Sequence, residues 1–112
     1  MEIKLINRSF FIGRLTTDPV IKKTKKDISC SNFQLAVEYE KGKADFPEFV
    51  VYGSLAEAFV KYVKKGNLIC VTARYTSHIH KQRKYHIFKV DELHFLEGRK
   101  NYEKADDVEI PQ

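Results

Sequence analysis

Phe46 and Tyr52 stand six residues apart, an even spacing that puts them on one face of an extended segment with Glu48 and Val50, while Phe49 and Val51 point the other way. A ring not needed inside a core offers a flat π-face on which a base can stack, whatever the base. Cations accompany these rings: Arg14, Arg74, a cluster of Lys22, Lys23, Lys25 and Lys26 around Thr24, and Lys81, Arg83 and Lys84 in a later basic stretch. Lysine and arginine along a groove neutralise phosphates, so rings and cations together suit an unpaired polyanionic strand. Each feature has a plainer use. The two rings would serve equally in a small second core or a subunit contact, and the lysine cluster as a solvated hairpin tip.

Other chemistry is poorly supported. His78 and His80 would face the same way on an extended segment, yet no neighbouring Cys, Asp or Glu completes a metal set. No nucleophile–base pairing, carboxylate dyad or glycine-rich phosphate loop is present, and Gly13 is isolated, so we expect no enzyme, no metal and no cofactor. Cys30 and Cys70 lie in apolar-patterned segments and read as reduced, strand-borne cysteines acting as small hydrophobes.

The 112 residues suffice for one domain with a real core. The formal net charge of +5 is unevenly spread: residues 1–102 hold nineteen Lys and Arg against eleven Asp and Glu, a net +8, and Glu103, Asp106, Asp107 and Glu109 crowd the last ten positions. A basic body favours a polyanionic partner, and the acidic end reads as a separate polar tail over residues 99–112 following a domain over 1–98. No apolar run approaches membrane-spanning length, and Met1-Glu2-Ile3-Lys4 lacks the layout of a signal peptide, so a cytoplasmic protein is expected.

The elements that must position these side chains follow from hydrophobic period. Residues 9–16 form an apolar first strand stopped by Thr17-Asp18-Pro19. Over 32–40, Phe33, Leu35, Val37 and Tyr39 alternate as the core face of a second strand, with the lysine cluster at the hairpin tip before it. A third strand spans 45–53. Ser54 and Glu57 have capping-box spacing, and Leu55, Ala58, Phe59, Tyr62 and Val63 recur at helical spacing, so a helix is expected from 54 to 65 with Gly66 as its left-handed stop. A fourth strand covers 67–77, with Ile69, Val71 and Ala73 on one face and Leu68, Cys70, Thr72, Arg74 and Thr76 on the other. A basic loop covers 78–84, and a fifth strand covers 85–96, where the apolar phase switches from Phe88 and Val90 to Leu93 and Phe95 and implies a bulge near Asp91 and Glu92. Three strands, a helix and two strands make a mainly β protein in the order of the five-stranded Greek-key OB-fold barrel.

The residues themselves resemble the bacterial and phage single-stranded DNA-binding protein family. Asn7 with Phe11-Ile12-Gly13-Arg14-Leu15-Thr16-Thr17-Asp18-Pro19, Asn32-Phe33-Gln34-Leu35-Ala36-Val37, Asp45-Phe46 leading to Val50-Val51-Tyr52-Gly53, then Leu55-Ala56-Glu57 and Tyr62-Val63-Lys64-Lys65-Gly66 stand in the family's order, over about residues 5–97. The resemblance implies an OB-fold that coats single-stranded DNA with little sequence preference in replication, recombination or repair, as a homo-oligomer, with a tetramer favoured over a dimer. It places base-stacking aromatics at Phe46 and Tyr52, with His80 near a third such position. Asp106-Asp107-Val108-Glu109-Ile110-Pro111 resembles the family's acidic tip, which implies replication or recombination proteins as partners, although Gln112 stands last where the family has an aromatic. The chain departs from the family in lacking tryptophan, in placing Glu48 on the stacking face, in Lys25-Lys26-Asp27 at the first hairpin, and in having no long Gly- or Pro-rich linker. Its shortness points to a phage or mobile-element form. Two other readings stay open: an RNA-binding OB-fold, since stacking does not distinguish sugars, and an adaptor for replication or recombination proteins in which Glu48 marks a decayed binding face.

Overall fold

The computed structural model describes residues 4–96. Its elements are β1 (Ser9–Leu15), β2 (Lys22–Lys23), β3 (Ser29–Glu40), β4 (Lys43–Asp45), β5 (Glu48–Tyr52), α1 (Gly53–Tyr62), β6 (Leu68–His80) and β7 (Arg83–Phe95). The five longer strands close into a barrel in the order β1-β6-β7-β5-β3, with β3 returning to β1. All pairs are antiparallel except β5 with β7, as expected of an OB-fold. The short β2 and β4 pair with the two ends of β3. The acidic tail expected over 99–112 lies outside the described residues, as do 97 and 98 at the end of the expected domain.

Closure depends on one glycine. β1 pairs with β6 over Ser9 to Arg14 and with β3 at Arg14 and Leu15. At the crossing, a Cβ on Gly13 would stand 2.6 Å from the carbonyl oxygen of Ala36. Only the absence of a side chain lets the two backbones approach this closely.

The alternations expected on β3 and β6 are realised. Phe33 and Leu35, then Ile69, Val71 and Ala73, are buried with Leu15, Phe49, Val51, Ala56, Phe59, Val63, Val90 and Leu93 in one core. Aromatics fill its centre: the Phe33 and Phe49 rings stack at 5.0 Å, and Phe11 meets Phe49 edge-on at 5.2 Å and Phe88 at 4.9 Å. The phase switch on the last strand is a bulge, since Thr72 pairs with Glu92 and Ala73 with Val90, leaving Asp91 as the extra residue.

Several local expectations are corrected. The helix begins at Gly53, whose φ of +71° turns the chain out of β5, and no side chain caps it. Ser54 lies inside the helix, and Glu57 instead accepts a 2.7 Å hydrogen bond from Ser29 Oγ, tying α1 to β3. The helix stops at Tyr62 rather than at residue 65, because competing acceptors take the next amides: Lys64 N–H donates to Asn67 Oδ1 and Lys65 N–H to Asp18 Oδ1, both at 2.8 Å, and Val63 adopts an extended conformation to enter the core. The basic loop over 78–84 is strand almost throughout. β6 and β7 run on to His80 and Arg83, joined by Lys81 and Gln82 alone, both left-handed at φ +54° and +65°, the two-residue turn whose twist matches the strands.

The third expected strand is broken at Phe46 and Pro47 into β4 and β5, since proline has no amide to donate to a ladder. Tyr39, expected in the core, is 62% exposed. β3 has left the barrel by that point to pair with β4, and a register irregularity between Glu38 and Glu40 sets Tyr39 aside from the ladder. No helix of the described residues is long and apolar enough to cross a membrane.

Candidate functional site

The register of the outward-facing residues assembles one continuous face from five strands. Lys22 pairs with Cys30 and Cys30 with Tyr52, giving a row across β2, β3 and β5. Asn32 with Val50 and Gln34 with Glu48 form parallel rows. The parallel pairing then sets Val50 beside Lys89 of β7, and Lys89 pairs with Arg74 of β6. Further along the hairpin arm Thr76 pairs with Ile87, His78 with Tyr85 and His80 with Arg83, all on the same outward face.

Tyr52 is 41% exposed, with the Lys89 ammonium 5.4 Å from its ring centre, so a ring and a cation are already paired on the surface. Ile28, Val50, Tyr52, Thr76, His78, Ile87 and Lys89 line a cavity of about 520 Å³ in this face. The His78 and Tyr85 rings stack at 5.5 Å with an interplanar angle of 22°. A second cleft of about 280 Å³ follows, lined by Glu48, His78, His80, Tyr85, His86 and Ile87, where β5 diverges from the hairpin arm. On the arm's other side, the Tyr75 hydroxyl and His86 Nδ1 are hydrogen-bonded, and the Asn7 side chain pairs with both backbone groups of Tyr75, at 2.9 and 3.0 Å. These contacts hold the base of the arm to the N-terminal segment.

The residues picked from sequence are therefore only partly gathered. Tyr52, Arg74, Lys22, His80 and Arg83 share the face. Phe46 is 54% exposed at the joint between β4 and β5, close to Glu48 in sequence but outside the strand that would fix its facing. Lys25 and Lys26 occupy the turn of the β2–β3 hairpin, which Thr24 organises by accepting the amides of Lys26 and Ile28 on its hydroxyl. Lys23 sits opposite the buried Ser29 and makes an exposed ion pair with Asp27 at 3.9 Å. Lys81 lies in the tight turn, and Lys84 pairs with Ile79 on the opposite side of the arm. Arg14 stands apart. It lies on β1, which borders neither β5 nor β7, donates to the Gly66 carbonyl at 3.0 Å, and lines a separate cavity of about 420 Å³ with Ile12, Glu38, Lys43 and Leu68.

Tyr85, Ile87, Lys89, Ile28 and the stacking of His78 were not picked from sequence. Parity on the last strand carried a signal for three of them, because Phe88 and Val90 facing inward require Tyr85, Ile87 and Lys89 to face outward. Among the described residues no group of three or more His, Cys, Asp or Glu is placed to hold a metal ion, and Cys30 and Cys70 are free thiols on β3 and β6.

A model of the single-strand binding protein family matches residues 6–96 of the chain. A single-stranded DNA-binding protein of Staphylococcus aureus (strain MRSA252) is 28% identical over 115 residues, covering 93% of this chain and 74% of the relative. A single-stranded DNA-binding protein of Halalkalibacterium halodurans is 37% identical over 76 residues, 62% of this chain and 45% of its own length. Single-stranded DNA-binding protein 1 of Streptococcus pyogenes serotype M18 is 36% identical over 76 residues, 62% of this chain and 58% of its own.

Proposed function

The chain belongs to the single-strand binding protein family, and from that premise we propose that it coats and protects single-stranded DNA, without catalysis, during replication, recombination or repair. The observation that carries the reading is the outward face of β3, β5, β7 and β6, where Tyr52, the His78–Tyr85 pair and the cations Lys22, Lys89 and Arg74 stand on one sheet surface. Stacking demands bases with free faces, which a duplex withholds, and the cations supply a phosphate attraction indifferent to sequence. The protein works as a homo-oligomer, with a tetramer favoured. In support, Phe10 and Ile12 on the outer face of β1 are 68% and 56% exposed, an apolar surface that water leaves poorly satisfied. The acidic residues of the C-terminal segment recruit replication or recombination proteins.

The test is a titration with matched single- and double-stranded oligonucleotides over a salt series. Single strands are expected to bind more tightly, with affinity falling as salt rises. Equal affinity for both forms would refute the reading.

A further inference from the structure

Glu48 is the one carboxylate on the outward face of β5, where it faces a strand of phosphates in the function proposed above. Its backbone belongs to the β3–β5 ladder, but its carboxylate makes no ion pair or hydrogen bond within the described residues, so the charge is not there to hold the barrel together. It lines the cleft of about 280 Å³ together with Tyr85, His78, His80 and Ile87. This cleft is smaller than the pockets that usually enclose whole small molecules, and the stacked His78 and Tyr85 rings, Ile87 and Glu48 line it together with His80 and His86. A base stacked on the His78–Tyr85 pair would lie in the cleft that Glu48 also lines.

We propose that this cleft is a nucleobase subsite in which Glu48 accepts a hydrogen bond from an exocyclic amino group, so that the protein prefers amino-bearing pyrimidines over 4-keto pyrimidines at this position. The inference rests on the single-strand reading above and gives it a base preference. A carboxylate is an acceptor only, and it pairs well with the N4 amino group of cytosine. Uracil and thymine place a carbonyl oxygen at that position, and their N3–H is flanked by two carbonyls that repel an approaching carboxylate. The carboxylate thereby has a use on a face that otherwise attracts phosphate: its charge is offset only where a donor meets it.

The decisive comparison is between oligo(dC) and oligo(dU) of about ten nucleotides, within the length one OB-fold covers. The two differ at the 4-position of the ring and lack the thymine methyl. Both polymers are titrated in one buffer at one salt concentration, so that the phosphate attraction is common to the two. The full-length protein is expected to bind oligo(dC) about three- to five-fold more tightly, relative to oligo(dU), than does Glu48→Ala, the low end of a base-edge contact because the site is open to water. Glu48→Gln, neutral but still an acceptor, should keep an intermediate ratio. Tyr85→Ala should weaken both polymers and bring the ratio to that of Glu48→Ala, because the base loses the stack that presents it. Thermal melts establish that each variant is folded. If Glu48→Ala and Glu48→Gln tighten both polymers by one common factor, Glu48 merely repels phosphate and the subsite is refuted while the single-strand reading stands. Failure of the unaltered protein to bind either polymer would remove both.

Discussion

Replacing Tyr52 and its neighbour Phe49 by alanine, one at a time, separates the binding face from the core within four residues of one strand. Phe49 is fully buried and its ring lies 5.0 to 5.7 Å from those of Phe33, Phe11 and Phe88. Its loss leaves a cavity at the junction of β1, β3, β5 and β7, and a cavity of that kind costs about 3 to 5 kcal/mol. For a domain of this size that corresponds to a drop in Tm of about 12 °C or more. Tyr52 faces the other way, paired in the ladder with the buried Cys30 and with the Lys89 ammonium 5.4 Å from its ring. An exposed cation–π pair is worth about 0.5 to 1 kcal/mol, so Tyr52→Ala should shift Tm by only a few degrees. The same substitution removes a stacking surface worth about 1 to 3 kcal/mol per base, which lowers affinity for single-stranded DNA roughly 5- to 150-fold. Calorimetric melts and fluorescence titrations with oligo(dT) measure the two quantities on the same preparations. A Tyr52→Ala protein that melts as early as Phe49→Ala yet binds DNA undiminished would show that the facing of β5 has been assigned the wrong way round.

Gly13→Ala should destabilise the barrel by about 1 to 3 kcal/mol, because the new Cβ meets the Ala36 backbone, which cannot move without opening the β1–β3 closure; denaturant unfolding measures it, and an unchanged midpoint would refute the close-approach argument. Lys89→Gln should reduce the slope of log affinity against log salt by about 0.7, the share of one phosphate contact on a single strand, whereas Lys84→Gln, on the opposite side of the hairpin arm, should leave the slope unchanged. Removing residues 103–112 takes away a net charge of −3 and leaves the body at +8, so binding to single strands should tighten, most at low ionic strength and less as the Debye length falls to about 8 Å. A truncated protein that binds more weakly at low salt would assign those residues to the binding surface instead.

The amino-acid order alone determined the features that repeat with a local period. The inward sets on β3 and β6, the bulge at Asp91, the opposed facing of Phe49 and Tyr52, and the strand–helix order of the OB-fold were all legible, because burying one face of a strand forces an alternation that any reader of the chain can count. What sequence could not supply were outcomes of competition between distant groups. The helix end at Tyr62 depends on Asp18, 47 residues from the amide it accepts. Glu57 was drawn from its expected cap by Ser29. Tyr39 kept the alternation of a core residue after β3 had left the barrel, since periodicity records which way a side chain points and not what stands opposite it. The turn at Lys81 and Gln82 carries no glycine or asparagine, so only the pairing of β6 with β7 around it specifies its left-handed pair. The candidate site divides along the same line. Tyr52, Arg74 and Lys22 were readable as rings and cations of the right type, but their union with Lys89 and the His78–Tyr85 stack, and the separation of Arg14 from them, rest on the parallel pairing of β5 with β7. That pairing joins strands 39 residues apart at Phe49 and Phe88. A contact of this span leaves no local pattern in either strand, and only closure of the barrel creates it.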